Sequence, residues 1–180
     1  MLVAYAAKGV IWPVNTATGD HTVSIDDTTF KPTDEVPLGV NGIHILNNDL
    51  YFTNLATNSV GKVAITLDGS AASTTQMLTT KALAADDFAL SDNGIVYAVG
   101  ANTLWQVSAD GHAVASVGGP NSTVLQGITT ARFGWTAVDK DVLYLSTQCG
   151  LLEDPPGSEV HGGQLLAINV NVLHSHGDED

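Results

Sequence analysis

A short strand-like phrase returns along this chain at a near-constant interval. Leu50-Tyr51, Val96-Tyr97 and Leu143-Tyr144 each lie in an apolar run, 46 residues separating Tyr51 from Tyr97 and 47 separating Tyr97 from Tyr144. A step of 47 back from Tyr51 lands on Ala4, inside "LVAYA". A second run follows each time, as "GVIWPV", "GKVAIT", "NTLWQV" and "GGQLLAIN". After the first three a glycine closes the next turn, in "TATGD", "TLDGS" and "SADGH". A period in the forties filled with four short strands is the pattern of propeller blades. Helical repeats of similar period need sustained 3.6-residue periodicity. Here two-residue alternation punctuated by Gly, Asn and Asp runs throughout. The expected fold class is therefore all-β, in blades of four antiparallel strands.

The blades can be placed. Strands near 2–6, 9–15 and 21–25 finish a first blade; the second runs from about 40 to 79 and the third from about 86 to 117. A fourth begins near 127 and reaches "GGQLLAINV" after the loop "CGLLEDPPGSEVH". Residues 1–171 are thus expected to form blades and 172–180 a disordered acidic tail. That makes roughly three and a half blades, where closed propellers have about four to eight. An open stack leaves strand edges and apolar faces bare. The chain is expected to be part of a longer protein, to complete a ring by self-association, or to close as a small ring, in that order. Asn41-Gly42 in "GVNGIHILNNDLYFTN" has the form of a hairpin turn, followed by a strand and an Asn-Asn-Asp turn.

Composition narrows the partners. Six Lys and Arg against nineteen Asp and Glu give a net charge of −13. That sign repels phosphate backbones and anionic lipid, so neither nucleic acid nor a membrane surface is an expected partner. Cys149 is the sole cysteine, excluding an internal disulfide; its apolar and neutral neighbours suit a structural thiol better than a nucleophile. "MLVAYAAKGV" lacks the basic and apolar regions of an export signal, and the compartment stays open. No G-x-S-x-G, P-loop or H-E-x-x-H motif occurs.

The succession Asn41-Gly42-Ile43, "LYFTN", "DDFALSDNGIVYAV", "TTARFG", "DVLYLSTQCG" and "GGQLLAI" resembles the senescence-marker-protein/gluconolactonase-like (NHL-type) six-bladed β-propellers. It is most similar to their fungal branch, which includes hetero-Diels–Alderases. The resemblance covers nearly the whole chain but only the C-terminal part of such a protein, about 120–150 residues of propeller lying outside it.

The resemblance implies two chemistries. In the metal-dependent lactonases, a divalent cation, usually calcium, is held on the axis by one Glu, two Asn and one Asp. Asn41 matches one Asn and Asp87 the Asp, so this chain would carry an incomplete site. Hetero-Diels–Alderases instead need an apolar pocket and one or two hydrogen-bond donors, with no cofactor. Asn41, Thr129 and Thr130 are the candidate donors, Asp87 the candidate acid or base, and Phe88 the aromatic expected nearest an axial pocket. Most of Trp12, Tyr51, Phe52, Trp105, Phe133 and Trp135 are expected between blades. Adjacent strand residues point to opposite faces, so only one of Asp86 and Asp87 is expected to face the axis, and Asp87 is preferred. His44 reads as packed or surface-lying, and His174 and His176 as solvated. The expected function is small-molecule transformation in fungal secondary metabolism, of the hetero-Diels–Alderase type. The alternatives are a calcium-dependent lactone hydrolase and a non-catalytic remnant of one.

Overall fold

The computed structural model describes residues 1–81, 83–149 and 162–173. Its strands form four antiparallel sheets in chain order. The first contains β1 (Leu2–Tyr5) and β2 (Val10–Pro13), the second β3 (Val40–Leu46), β4 (Asp49–Asn54), β5 (Ser59–Ala64) and β6 (Gln76–Thr79). The third contains β7 (Asp87–Leu90), β8 (Val96–Gly100), β9 (Thr103–Val107) and β10 (Ala113–Gly118). The fourth contains β11 (Ile128–Phe133), β12 (Val142–Thr147) and β13 (Leu165–Asn169). These bounds agree with the sequence spacing. Isolated bridges from Ile11 to Ile25 and from Val14 to His21 give the first sheet a rudimentary third strand.

Local chemistry explains the hairpins. Asn47 and Asn48 both adopt left-handed φ (51° and 67°) in the two-residue link from β3 to β4, the conformation that matches the twist of paired strands. Gly19, Gly69 and Gly111, at corresponding turn positions, all have φ near 80°. Asn41-Gly42 behaves differently from expectation. It is no turn but a bulge inside β3, where the register shifts between Val40 and Ile43.

Strand alternation sorts the core. Phe88, Val96 and Ala98 pack toward Tyr51 and Val60 of the second sheet. Their neighbours Ala89, Tyr97 and Val99 pack toward Ala131, Leu143 and Leu145 of the fourth. Phe30, Ile11 and Ile25 meet Val40, Leu50 and Phe52 between the first and second. Each central sheet is therefore apolar on both faces, and the core is three seams between four sheets. One aromatic stands apart. Trp135 is 94% exposed, in the link after β11, and lies in no seam. A 3-10 turn at Val170–Val172 follows β13 and seats Val170 in a seam. His174, His176 and the rest of the tail lie outside the described residues. Cys149 is buried, its Sγ 3.3 Å from the Thr147 hydroxyl, in keeping with a structural thiol.

Candidate functional site

The first strands of the last three sheets, β3, β7 and β11, are neighbours in series, and β1 touches β3. Their leading ends surround an open cavity of about 440 Å³, lined by Asn41, Asp86, Asp87, Thr129, Arg132 and β1. Two bulges aim residues at it. One lies at Asn41-Gly42 in β3, the other at Thr129 in β11, where the register shifts between Ile128 and Thr130.

Thr53 of β4 holds the first bulge. Its buried hydroxyl accepts from Gly42 N at 3.0 Å and donates to Asp86 O at 2.8 Å, joining the second sheet to the third. The site is tight around Gly42. A Cβ would stand 2.6 Å from the Asp87 carboxylate and 3.1 Å from its Cα.

The two acids face different partners. Asp86 accepts from Asn41 Nδ2 at 2.5 Å. Burial pushes its carboxyl above the ordinary carboxylate range; the Asp87 charge adds to that, and the Asn41 bond opposes it. Asp87 Oδ2 accepts from Thr130 Oγ1 at 2.5 Å and from Arg132 Nη1 at 2.9 Å. The same guanidinium nitrogen donates to the Phe88 and Ala131 carbonyls. His44 Nε2 is buried 4.0 Å from Asp87 Oδ1, without a hydrogen-bond partner. Burial lowers the imidazole pKa, helped by Arg132 and opposed by Asp87 and the Phe88 backbone, so this contact is not an ion pair at neutral pH.

The predicted residues are thus divided. Asn41, Asp87 and Thr129 line one cavity, and Thr130 joins it through Asp87. Both acids reach it, because Asp86 precedes the first pair of the β7 ladder, Asp87 with Val99, and is not bound to its alternation. Phe88 does not line the cavity. It is fully buried in the seam, edge-on to His44 at 4.7 Å, since it follows Asp87 within the strand and turns to the opposite side. The cavity wall is accordingly polar, where an apolar one was expected. Sequence reasoning missed Arg132 and Thr53. Arg132 carried a signal, as the only arginine in an acidic chain; Thr53 carried none.

These groups do not fit calcium. The ion takes six to eight oxygens, whereas Asp87 is already held by a guanidinium whose charge opposes a cation. Among the described residues no group of three or more His, Cys, Asp or Glu could hold a metal.

The sheet arrangement superposes on a luciferin-regenerating enzyme with a TM-score of 0.63 at 14% identity, covering 88% of this chain and 50% of that one. A virginiamycin B lyase from Staphylococcus aureus gives a TM-score of 0.57 at 15% identity, covering 82% and 45%. A gluconolactonase from Xanthomonas campestris gives 0.53 at 11% identity, covering 76% and 40%. The fold is that of a partial β-propeller. Its sheets are blades, and the cavity is a mouth at their inner ends. No protein-family model matches the propeller chain. It is similar in sequence to a candidate hetero-Diels–Alderase from Phoma sp, 28% identical over 151 residues, covering 78% of this chain and 42% of the relative. It is also 28% identical over 188 residues to a candidate hetero-Diels–Alderase from Sarocladium schorii, covering 92% and 46%. The chain spans less than half the length of the curated relatives it matches.

Proposed function

We propose that this chain supplies part of the mouth of a small-molecule-transforming propeller that guides a hetero-Diels–Alder cycloaddition. One observation supports the reading. A match covering 92% of the chain has to contain residues 41 to 132, so the strip with every mouth residue on β3, β7 and β11 is the strip similar to the two candidate hetero-Diels–Alderases. Cycloaddition of a heterodiene with an alkene forms two bonds in one step and needs no proton balance. The protein has to hold the partners face to face and hydrogen-bond the heterodiene oxygen as electron density moves onto it. Arg132 is the strongest such donor at the mouth. A guanidinium carries five N–H groups, and its three bonds here run from one nitrogen. Asp87 and Thr130 fix its direction.

The test is adduct formation from an ortho-quinone methide precursor and a terpenoid alkene, followed by chiral chromatography with excess chelator present. The expected result is enantiomeric excess and acceleration over background, both lost in Arg132→Met. Racemic product at the background rate overturns the reading. So does lactone opening that appears with added calcium and vanishes with chelator, which would establish the hydrolase alternative.

A further inference from the structure

A second cavity lies at the other end of two of the mouth strands. β7 carries Asp87 at the mouth and Leu90 at its far end; β11 carries Thr129 at the mouth and Phe133 at its far end. The far ends border an open cavity of about 390 Å³. Its apolar wall includes Ile95, Tyr97, Phe133 and Val170, which belong to the seam between the third and fourth sheets or pack against it. Bonds within the protein fix the surrounding links. Ser91 N donates to Ile95 O and Ile95 N to Ser91 Oγ, both at 3.0 Å, closing the turn from β7 to β8. Val142 N donates to Asp139 O at 2.8 Å in the link from β11 to β12, and Val170 N to Asp141 O at 2.9 Å after β13. The cavity is thus preformed, as small-molecule sites usually are.

Tyr97 distinguishes this cavity from a gap in the packing. The residue is 1% exposed, its ring edge-on to Phe133 at 5.5 Å between centroids. A phenol so enclosed ordinarily has a hydrogen-bond partner. Among the described residues the Tyr97 hydroxyl has none, and burial alone pushes its pKa above the usual phenol value. Tyr97 lines the cavity, so that space is where a partner has room. The hydroxyl keeps its proton at neutral pH and is available as a donor. Asp92, Asp141 and Lys140 stand around the same cavity, two carboxylates against one ammonium. That balance disfavours an anion.

We propose that this cavity binds an uncharged, flat ring compound bearing a carbonyl oxygen, which accepts from the Tyr97 hydroxyl while the ring lies against Phe133. Each part of that description rests on one feature. The apolar wall of Ile95, Phe133 and Val170 favours a ring system. The enclosed donor of Tyr97 selects an acceptor over the same ring without one, because only the acceptor satisfies it. The surrounding carboxylates select against a negatively charged form of the compound. The site shares no lining residue with the mouth. It is independent of the reaction proposed above.

The test is titration of the full chain with 1-tetralone and with tetralin, its analogue lacking the carbonyl oxygen, followed by amide chemical shifts. Tetralone is expected to move the Ile95, Tyr97 and Phe133 amides saturably. Tyr97→Phe keeps the ring and removes only the hydroxyl, so it should weaken tetralone about tenfold and leave the affinity for tetralin unchanged. The melting temperature of Tyr97→Phe should match the parent's, because no bond within the protein is lost. No saturable shift at the cavity overturns the inference, as do shifts at Asn41 and Asp87 in place of it. Undiminished tetralone affinity in Tyr97→Phe, equal weakening of both compounds, or a melting temperature several degrees lower each does the same.

Discussion

Replacing Thr53 by valine tests how the mouth is built. The side chain is fully buried, and its hydroxyl makes two bonds, one to Gly42 N and one to Asp86 O. Valine keeps the shape and removes both. Each neutral bond contributes about 0.5–1.5 kcal/mol net, and a buried group left without a partner costs about 1–3 kcal/mol. Gly42 N retains a longer contact to Asp86 O at 3.3 Å, which limits the loss on that side. The expected destabilisation is about 2 kcal/mol, or roughly 4–8 °C in Tm for a chain of this size. Urea unfolding followed by both circular dichroism and tryptophan fluorescence measures it. Thr53→Ser keeps the hydroxyl and gives up one methyl group, worth about 1 kcal/mol. A valine variant within about 0.5 kcal/mol of the parent, or a serine variant less stable than the valine one, would refute the hydroxyl as the tie.

Two further predictions follow from burial and charge. Phe88→Ala opens a cavity in the seam between the second and third sheets and should cost about 3–5 kcal/mol, measured by urea midpoint; a stable variant with altered ligand binding would return Phe88 to the mouth. Burial raises the folded-state pKa of Asp86, so its stabilising contribution is fully present below the unfolded value near ~3.9 and lost as pH rises through the folded value. Asp86→Asn should therefore gain stability relative to the parent as pH rises above about 4, and a pH-independent difference in midpoint would contradict the assignment.

The blade boundaries were legible because two local codes agree. Tight turns demand left-handed residues, which Asn47, Asn48, Gly69 and Gly111 supply; strands buried between two sheets demand continuous apolar runs, which Val96, Tyr97, Ala98 and Val99 supply. Asn41-Gly42 misled because a glycine serves close approach as well as tight turns. Only the Thr53 hydroxyl on Gly42 N and the Asp87 carboxylate, which fills the space a Cβ at Gly42 would take, distinguish them, and both come from elsewhere in the chain.

The sequence by itself determined an all-β chain, the number and order of its blades, and the inner-strand residues that carry polar groups, because each depends on neighbours a few residues apart. The tertiary structure decided that Asn41 meets Asp86, that Thr130 and Arg132 meet Asp87, and that Phe88 is sealed in a seam. Each of those pairs spans more than forty residues, and no local pattern encodes which side chains three separate strands bring to one mouth.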